Sequence, residues 1–496
     1  MSVAPDQTLP EFNSSMARGG DPVETNVNLP YTGLEFHYVF QVIMGCLVFL
    51  IIPGIGMLYG GMCQRKSALS MIFQSLTVVS VITFQWIFWG YTLAFSRTGS
   101  SFIGDFSEFG MKNVMAAPSW GSALIPEIVF CFYELMFCAC AVMIVVGGAF
   151  ERGRIIPSII FGFCWATVCY CPIAYWTWNA NGWLFTFGAL DFAGGGPVHM
   201  SSGAAGLAYA LVLGKRSKAG EKHLNKPHNV TITFLGTCLI WFGWFGFNGG
   251  SAINASLRSM AAIFNTQVAA STGCISYSLI GYFKNNRKFS VIVACEGIIA
   301  GLVGITPAAG FVTVWYAAAI GVLTAGACSS LDGMHNWLGI DDGLEVFKLH
   351  GIGGACGAFL TGIFATSSIS ALDGIPTLAS GAVDGNGVQV AKQLAEIAAI
   401  LSYSFVCSVI MLMGLKHTPF LGLRVSDEVE ELGVDLDQFH DELIGEWSNF
   451  TVEENGITHG VTAKEARASI SMEHRAGGSG GTVTPPEKGD VSVVGG

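Results

Sequence analysis

Runs of roughly 18 or more apolar residues begin near Tyr38, Met71, Ile125, Ile155, Val198, Val230, Ala261, Ser290, Val312, Lys348 and Leu394. Coiled as helices, each is long enough to cross a hydrocarbon layer of about 30 Å. Lipid offers no partner for an unpaired backbone group, and the runs lack the alternation of barrel strands, so helices are the candidates. A chain of 496 residues that is 51% hydrophobic and 12% charged also lacks the polar surface of a soluble domain. The expected fold is all-α, a multi-pass integral membrane protein with eleven transmembrane helices.

Basic residues set its orientation. With the N-terminus outside, the cytoplasmic connections carry Arg65, Lys66, Arg152, Arg154, Lys215, Arg216, Lys218, Lys222, Lys226, Lys284, Arg287 and Lys288. The external ones carry Arg97, Lys112, Arg258 and Lys392. The C-terminus then lies inside, as an odd number of spans requires. Residues 1–33 hold one basic residue, Arg18, and no apolar signal core, so they read as an external tail. Residues 34–417 form the membrane domain and 418–496 a cytoplasmic tail. Among the N-x-S/T sequons this topology leaves Asn13 as the glycosylation candidate.

Acidic residues crowd the C-terminal tail, and most of the net charge of −11 sits there. That charge therefore describes a tail, and no nucleic-acid partner is expected. The stretch "DEVEELGVDLDQFHDE" is expected to pack on the cytoplasmic face, and the Gly/Ser/Thr/Pro-rich end after about Arg475 to be disordered. In "EARASIS", Arg467 precedes Ser469 by two positions, which makes Ser469 and Ser471 candidates for a kinase acting on the tail.

Two histidines stand inside the apolar runs, His199 in "GGPVHMSSGAAG" and His350 in "LHGIGGACGA". Both are followed by Gly at +4, Ala at +5 and Gly at +7. The glycines suit close helix packing, but an imidazole at membrane depth is costly and by default faces an interior cavity or a partner. The matched spacing suggests two repeats, inverted by the topology, that bring the two rings face to face. Burial favours neutral rings, one donating and one accepting in a shared N–H···N bond. A metal site would need a third ligand: Asp191 belongs to the external mouth by sequence order, and Glu296 lies within another span with no spacing to connect it. The cysteines read as packing residues. Aromatic stretches gather at the external ends of three runs: "FYELMF", "YWTWNANGW" and "FGWFGFNGGSA". An indole there is either an interfacial anchor or a face for a small cation.

The same residues carry a resemblance. The chain is similar to the ammonium transporter / methylammonium permease / Rhesus protein family, and resembles its fungal permeases that keep both histidines. The likeness runs from about Leu34 to Glu442 through "IPGIGMLYGGMCQRK", "QWIFWGYTLAFS", "GGAFERGR", "GALDFAGGGPVH", "KPHN", "GWFGFNGGSA", "DDGLEVFKLHG" and "GLRV". It implies an inverted 5+5 repeat plus one extra helix, a homotrimer with one pore per subunit, and a plasma-membrane transporter rather than an enzyme, with no cofactor. By this resemblance Trp178 and Ser251 match the external recruitment site for ammonium and methylammonium. Phe137 and Phe247 match the rings closing the pore, Asp191 the buttressing carboxylate, and His199 and His350 the pore lining. Lys348 replaces a small residue of many relatives, and the loop between Trp178 and Asp191 is one residue longer than in some bacterial members.

Removing the proton from ammonium is far cheaper than burying the cation, so the implied route is recruitment, deprotonation below the phenylalanines, and passage as ammonia. Net charge transfer along the imidazoles is implied by the family alone, as is regulation through the tail. The alternatives are a transport-coupled ammonium sensor, a membrane metalloenzyme and a channel for carbon dioxide.

Overall fold

The apolar runs fold as helices in the computed structural model, which describes residues 31–217, 227–373 and 379–440 and the backbone of 450–454 and 457–461. Asn13, Ser469 and Ser471 lie outside the described residues. Six helical segments are long and apolar enough to cross a membrane: Glu35–Met62, Arg65–Phe95, Glu127–Ala149, Ile155–Phe187, Val230–Gly250 and Val388–His417. Phe347–Phe364 joins Ser367–Asp373 through a 94° bend, a seventh if the pair is one span. Helices Ser201–Leu213, Leu257–Lys284, Val291–Ile305 and Val314–Ser330 occupy the other runs. They fall short by this measure because three are brief and Leu257–Lys284 is diluted by Ser, Thr and Asn. The chain is a helical integral membrane protein. A short antiparallel hairpin, Phe450–Glu454 with Ile457–Val461, is the single sheet among the described residues.

Local chemistry fixes several helix starts. Asn229 accepts the N–H of Ile232 at 3.0 Å, and Ser256 that of Ser259 at 3.3 Å, satisfying donors that a helix leaves unpaired. Large apolar side chains such as Leu76, Phe84, Ile275, Phe283 and Ile410 point outward, a surface that lipid rather than water would cover.

At one end of the bundle the basic connections meet the start of the acidic tail. Arg216 forks onto Asp341, with Nε to Oδ2 at 2.6 Å and Nη2 to Oδ1 at 2.7 Å, and its Nη1 reaches Glu151. Arg152, fully buried, donates to the carbonyls of Phe150, Gly214 and Asp341. Tail residues Val425, Val429, Val434 and Leu436 form a small apolar cluster. Asp435 accepts the N–H groups of Leu69 and Ser70, both at 2.8 Å, at the start of a helix where an anion is favoured. Glu430 accepts from Ser217 and Arg424, and Gln438 from the N–H of Ile155. The acidic stretch expected to pack is thus docked through Gln438.

The ion cluster makes a stability prediction. Arg216→Leu strands two buried carboxylates and is expected to cost about 3–5 kcal/mol, read as a lower thermal-unfolding midpoint in detergent. Adding Asp341→Asn should restore part of the loss; a variant as stable as the parent would show that the cluster contributes nothing. Burial alone would raise the Asp341 carboxyl, but the hydrogen bonds and charges of Arg216 and Arg152 hold it down at about 2. With its folded value depressed, its contribution is present above the ordinary carboxyl range and is lost as pH falls toward 2.

Candidate functional site

Two helices open with a wide π turn, and each turn carries a histidine: Gly195–Met200 holds His199, and Phe347–Ile352 holds His350. Such turns recur at functional sites because they displace side chains from the regular helical path. Each is held by an aspartate eight residues before its histidine. Asp191 accepts the N–H groups of Gly194, Gly195 and Gly196 at 2.7, 2.8 and 2.6 Å. Asp342 accepts those of Val346 and Phe347 at 3.1 and 3.0 Å. Asp342 was missed in the sequence, although its spacing to His350 equals that of Asp191 to His199.

The glycines at +4 have a shared purpose. A Cβ at Gly203 would stand 2.3 Å from the Gly351 nitrogen and 3.1 Å from the His350 carbonyl carbon. One at Gly354 would stand 2.9 Å from the Gly195 oxygen and 3.2 Å from the His199 Cβ. Each histidine motif thus uses its glycine to admit the other motif's turn. The rings meet, with His199 Nδ1 and His350 Nδ1 3.3 Å apart.

From this pair an aromatic column runs toward Trp178. His199 lies 5.9 Å from Phe247, which stacks on Phe137 at 4.0 Å and 16°, and Phe137 meets Trp178 edge-on at 6.1 Å. Trp244 stacks on His199 at 5.2 Å and lies 5.3 Å from Phe247, so the three rings form one cluster. Beside the histidines is a narrow cavity whose remaining walls are chiefly aliphatic, Ile51, Ile55, Ile144 and Ile240 among them. At the Trp178 end a wider cavity of about 220 Å³ is lined by Trp178, Ser251, Asp191 and Glu134. Trp178 Nε1 donates to the Asp191 carbonyl at 3.1 Å, fixing the indole. Ser251 gives its proton to the Phe247 carbonyl at 2.9 Å, so its lone pairs remain as acceptors. Tyr133 donates to the same carbonyl at 2.6 Å.

All seven residues that the resemblance assigns to a pore and a recruitment site lie along one path. Asp191 enters it through its backbone contacts and its place on the cavity wall. Glu134 also lines the wider cavity, and the sequence reading passed over it while counting the aromatics around it.

Lys348 sits two residues before His350 and is buried. Its Nζ lies 2.8 Å from Asp332, 2.9 Å from the Tyr277 hydroxyl and 3.6 Å from Glu296, and it also contacts Glu345. The three carboxylates come close enough to suggest a cation cage, which the lysine ammonium already fills. Among the described residues no third metal ligand joins the two histidines.

Comparison with known proteins gives the family. The family model described as Ammonium Transporter Family matches residues 39–443. Ammonium transporter MEP2 of Saccharomyces cerevisiae is 45% identical over 446 residues, 88% of this chain and 87% of the relative. Ammonium transporter 1 of Schizosaccharomyces pombe is 44% identical over 422 residues, 85% and 84% of the two chains. The crystal structure of Candida albicans Mep2 superposes with a TM-score of 0.80 at 42% identity, covering 87% of this chain and 94% of that one. With most of its length matched by the family model and by relatives named as transporters, this chain belongs to the ammonium transporter family.

Proposed function

We propose that the protein takes up ammonium and methylammonium across the plasma membrane through eleven spans arranged as an inverted repeat, N-terminus outside and C-terminus inside. Residues 1–33 are then external, 34–417 form the transport domain, and 418–496 form a cytoplasmic tail open to regulation. Three such chains assemble, each with its own pore. The observation that carries the reading is the imidazole pair, His199 Nδ1 to His350 Nδ1 at 3.3 Å, beneath the stacked Phe137 and Phe247.

Ammonium is held at Trp178 by its ring face and at Ser251 by the hydroxyl lone pairs. Bare ammonium in the narrow cavity would cost roughly tens of kcal/mol by an idealised Born estimate. Releasing a proton to the external solution costs only about 3 kcal/mol for an acid some two units above ambient pH. Ammonia therefore crosses, with its N–H and lone pair met by the two rings. Potassium has no proton to give up and meets the full ionic cost. Liposomes containing the purified protein are expected to take up ammonium down its gradient and to exclude potassium. Equal fluxes of the two ions, or none of ammonium, would sink the reading.

A further inference from the structure

Glu134 lies on the helix Glu127–Val146, three residues before Phe137 and next to Tyr133. Its side chain is 5% exposed, and its Oε2 has no hydrogen-bond partner. A carboxylate so placed at membrane depth is destabilising unless something charged or protic meets it. The other ionisable residues lining the same cavity are committed. Asp191 accepts three backbone N–H groups. Arg258 and Asp373 pair with each other at 2.9 Å, and Arg258 also donates to the Gly310 carbonyl. Among the described residues of this wall, Glu134 is the ionisable side chain with no ion pair or hydrogen bond, and it shares the cavity with Trp178 and Ser251.

We propose that Glu134 is the counter-charge of the recruitment site, the third arm that holds a small N–H-bearing cation beside the Trp178 ring and the Ser251 hydroxyl. This rests on the recruitment role given to Trp178 and Ser251 above. The three arms differ in kind. The indole face attracts any small cation, the serine lone pairs accept an N–H bond, and the carboxylate adds both an acceptor and an opposite charge. A charge-assisted bond of this sort is roughly twice as strong as a neutral one, and the enclosed cavity screens it less than open water would. Ammonium and methylammonium, with four and three N–H bonds, suit the arrangement, whereas a quaternary ammonium offers the carboxylate no proton.

The test is uptake of labelled methylammonium by cells carrying E134Q, E134D or W178L, with surface levels matched. E134Q keeps the shape and removes the charge, and its half-saturating concentration is expected to rise about 10- to 100-fold. A value within twofold of the parent overturns the proposal. Should E134Q fail to reach the surface, E134D decides: its shortened reach is expected to weaken half-saturation several-fold, and an unchanged value overturns the proposal. W178L separates the two ideas. If it weakens recruitment while E134Q does not, the counter-charge is wrong and the recruitment site stands. If neither variant matters, both fall.

Discussion

Uptake of labelled methylammonium is expected to fall to the background of cells lacking the protein when His199 and His350 are both replaced by alanine. The cavity beside them is walled mainly by Ile and other apolar side chains, with the two imidazoles as its principal polar groups. Without them a passing ammonia would leave its hydrogen-bond partners at the Ser251 end and find none along the path, and each unmade bond is destabilising by about 1–3 kcal/mol. Surface labelling of a tagged protein separates loss of transport from loss of the protein. If the double variant at parental surface levels still transported at the parental rate, the imidazoles would be bystanders.

A second large loss is expected from Gly203→Ala, a single methyl group that touches no proposed substrate position. The new Cβ would press on backbone, 2.3 Å from the Gly351 nitrogen and 2.6 Å from its Cα, and backbone inside a helix cannot swing aside. Overpacking of this kind costs about 1–3 kcal/mol and moves the turn that carries His350. Gly354→Ala meets one backbone oxygen at 2.9 Å and then the flexible Met200 side chain, so it should be milder. Gly414 has nothing within 4 Å of a built Cβ, and its alanine variant serves as the neutral control. Comparable uptake in all three would mean that the close approach of the two turns is not needed.

The difference between Gly203 and Gly414 also marks what a sequence can tell. Both are glycines in apolar helices, and only the repeated spacing after His199 and His350 singles out the first. That spacing was legible, as was the pairing of the rings, because a costly polar residue in a lipid-crossing run needs a partner and the two motifs offered each other. The eight-residue interval to Asp191 and Asp342 was equally present, but it was not compared across the motifs, so Asp342 went unremarked. Glu134 escaped for another reason. In "FYELMF" its neighbours are aromatic, and nothing in a linear sequence says which face of a helix lines a cavity. The docked tail was legible as an acidic stretch expected to pack, while its contact with the start of the Arg65–Phe95 segment depends on which loops the bundle brings to that end. Lys348 looked like a misfit beside a histidine. Three of its partners, Tyr277, Glu296 and Asp332, come from separate parts of the chain that no local pattern could join, whereas Glu345 stands only three residues before it.

Lys348 is in effect a tethered relative of the proposed cargo. Its side chain ends in a primary ammonium, gripped by carboxylates and a phenol, with the Tyr277 ring 5.6 Å away. Those are the same kinds of group that gather around Trp178 at the opposite mouth. On the proposed route, a molecule leaving past His350 and picking up a proton meets carboxylates that Lys348, and at Asp332 also Lys284, already engage, so the two mouths differ in stickiness and the second favours departure.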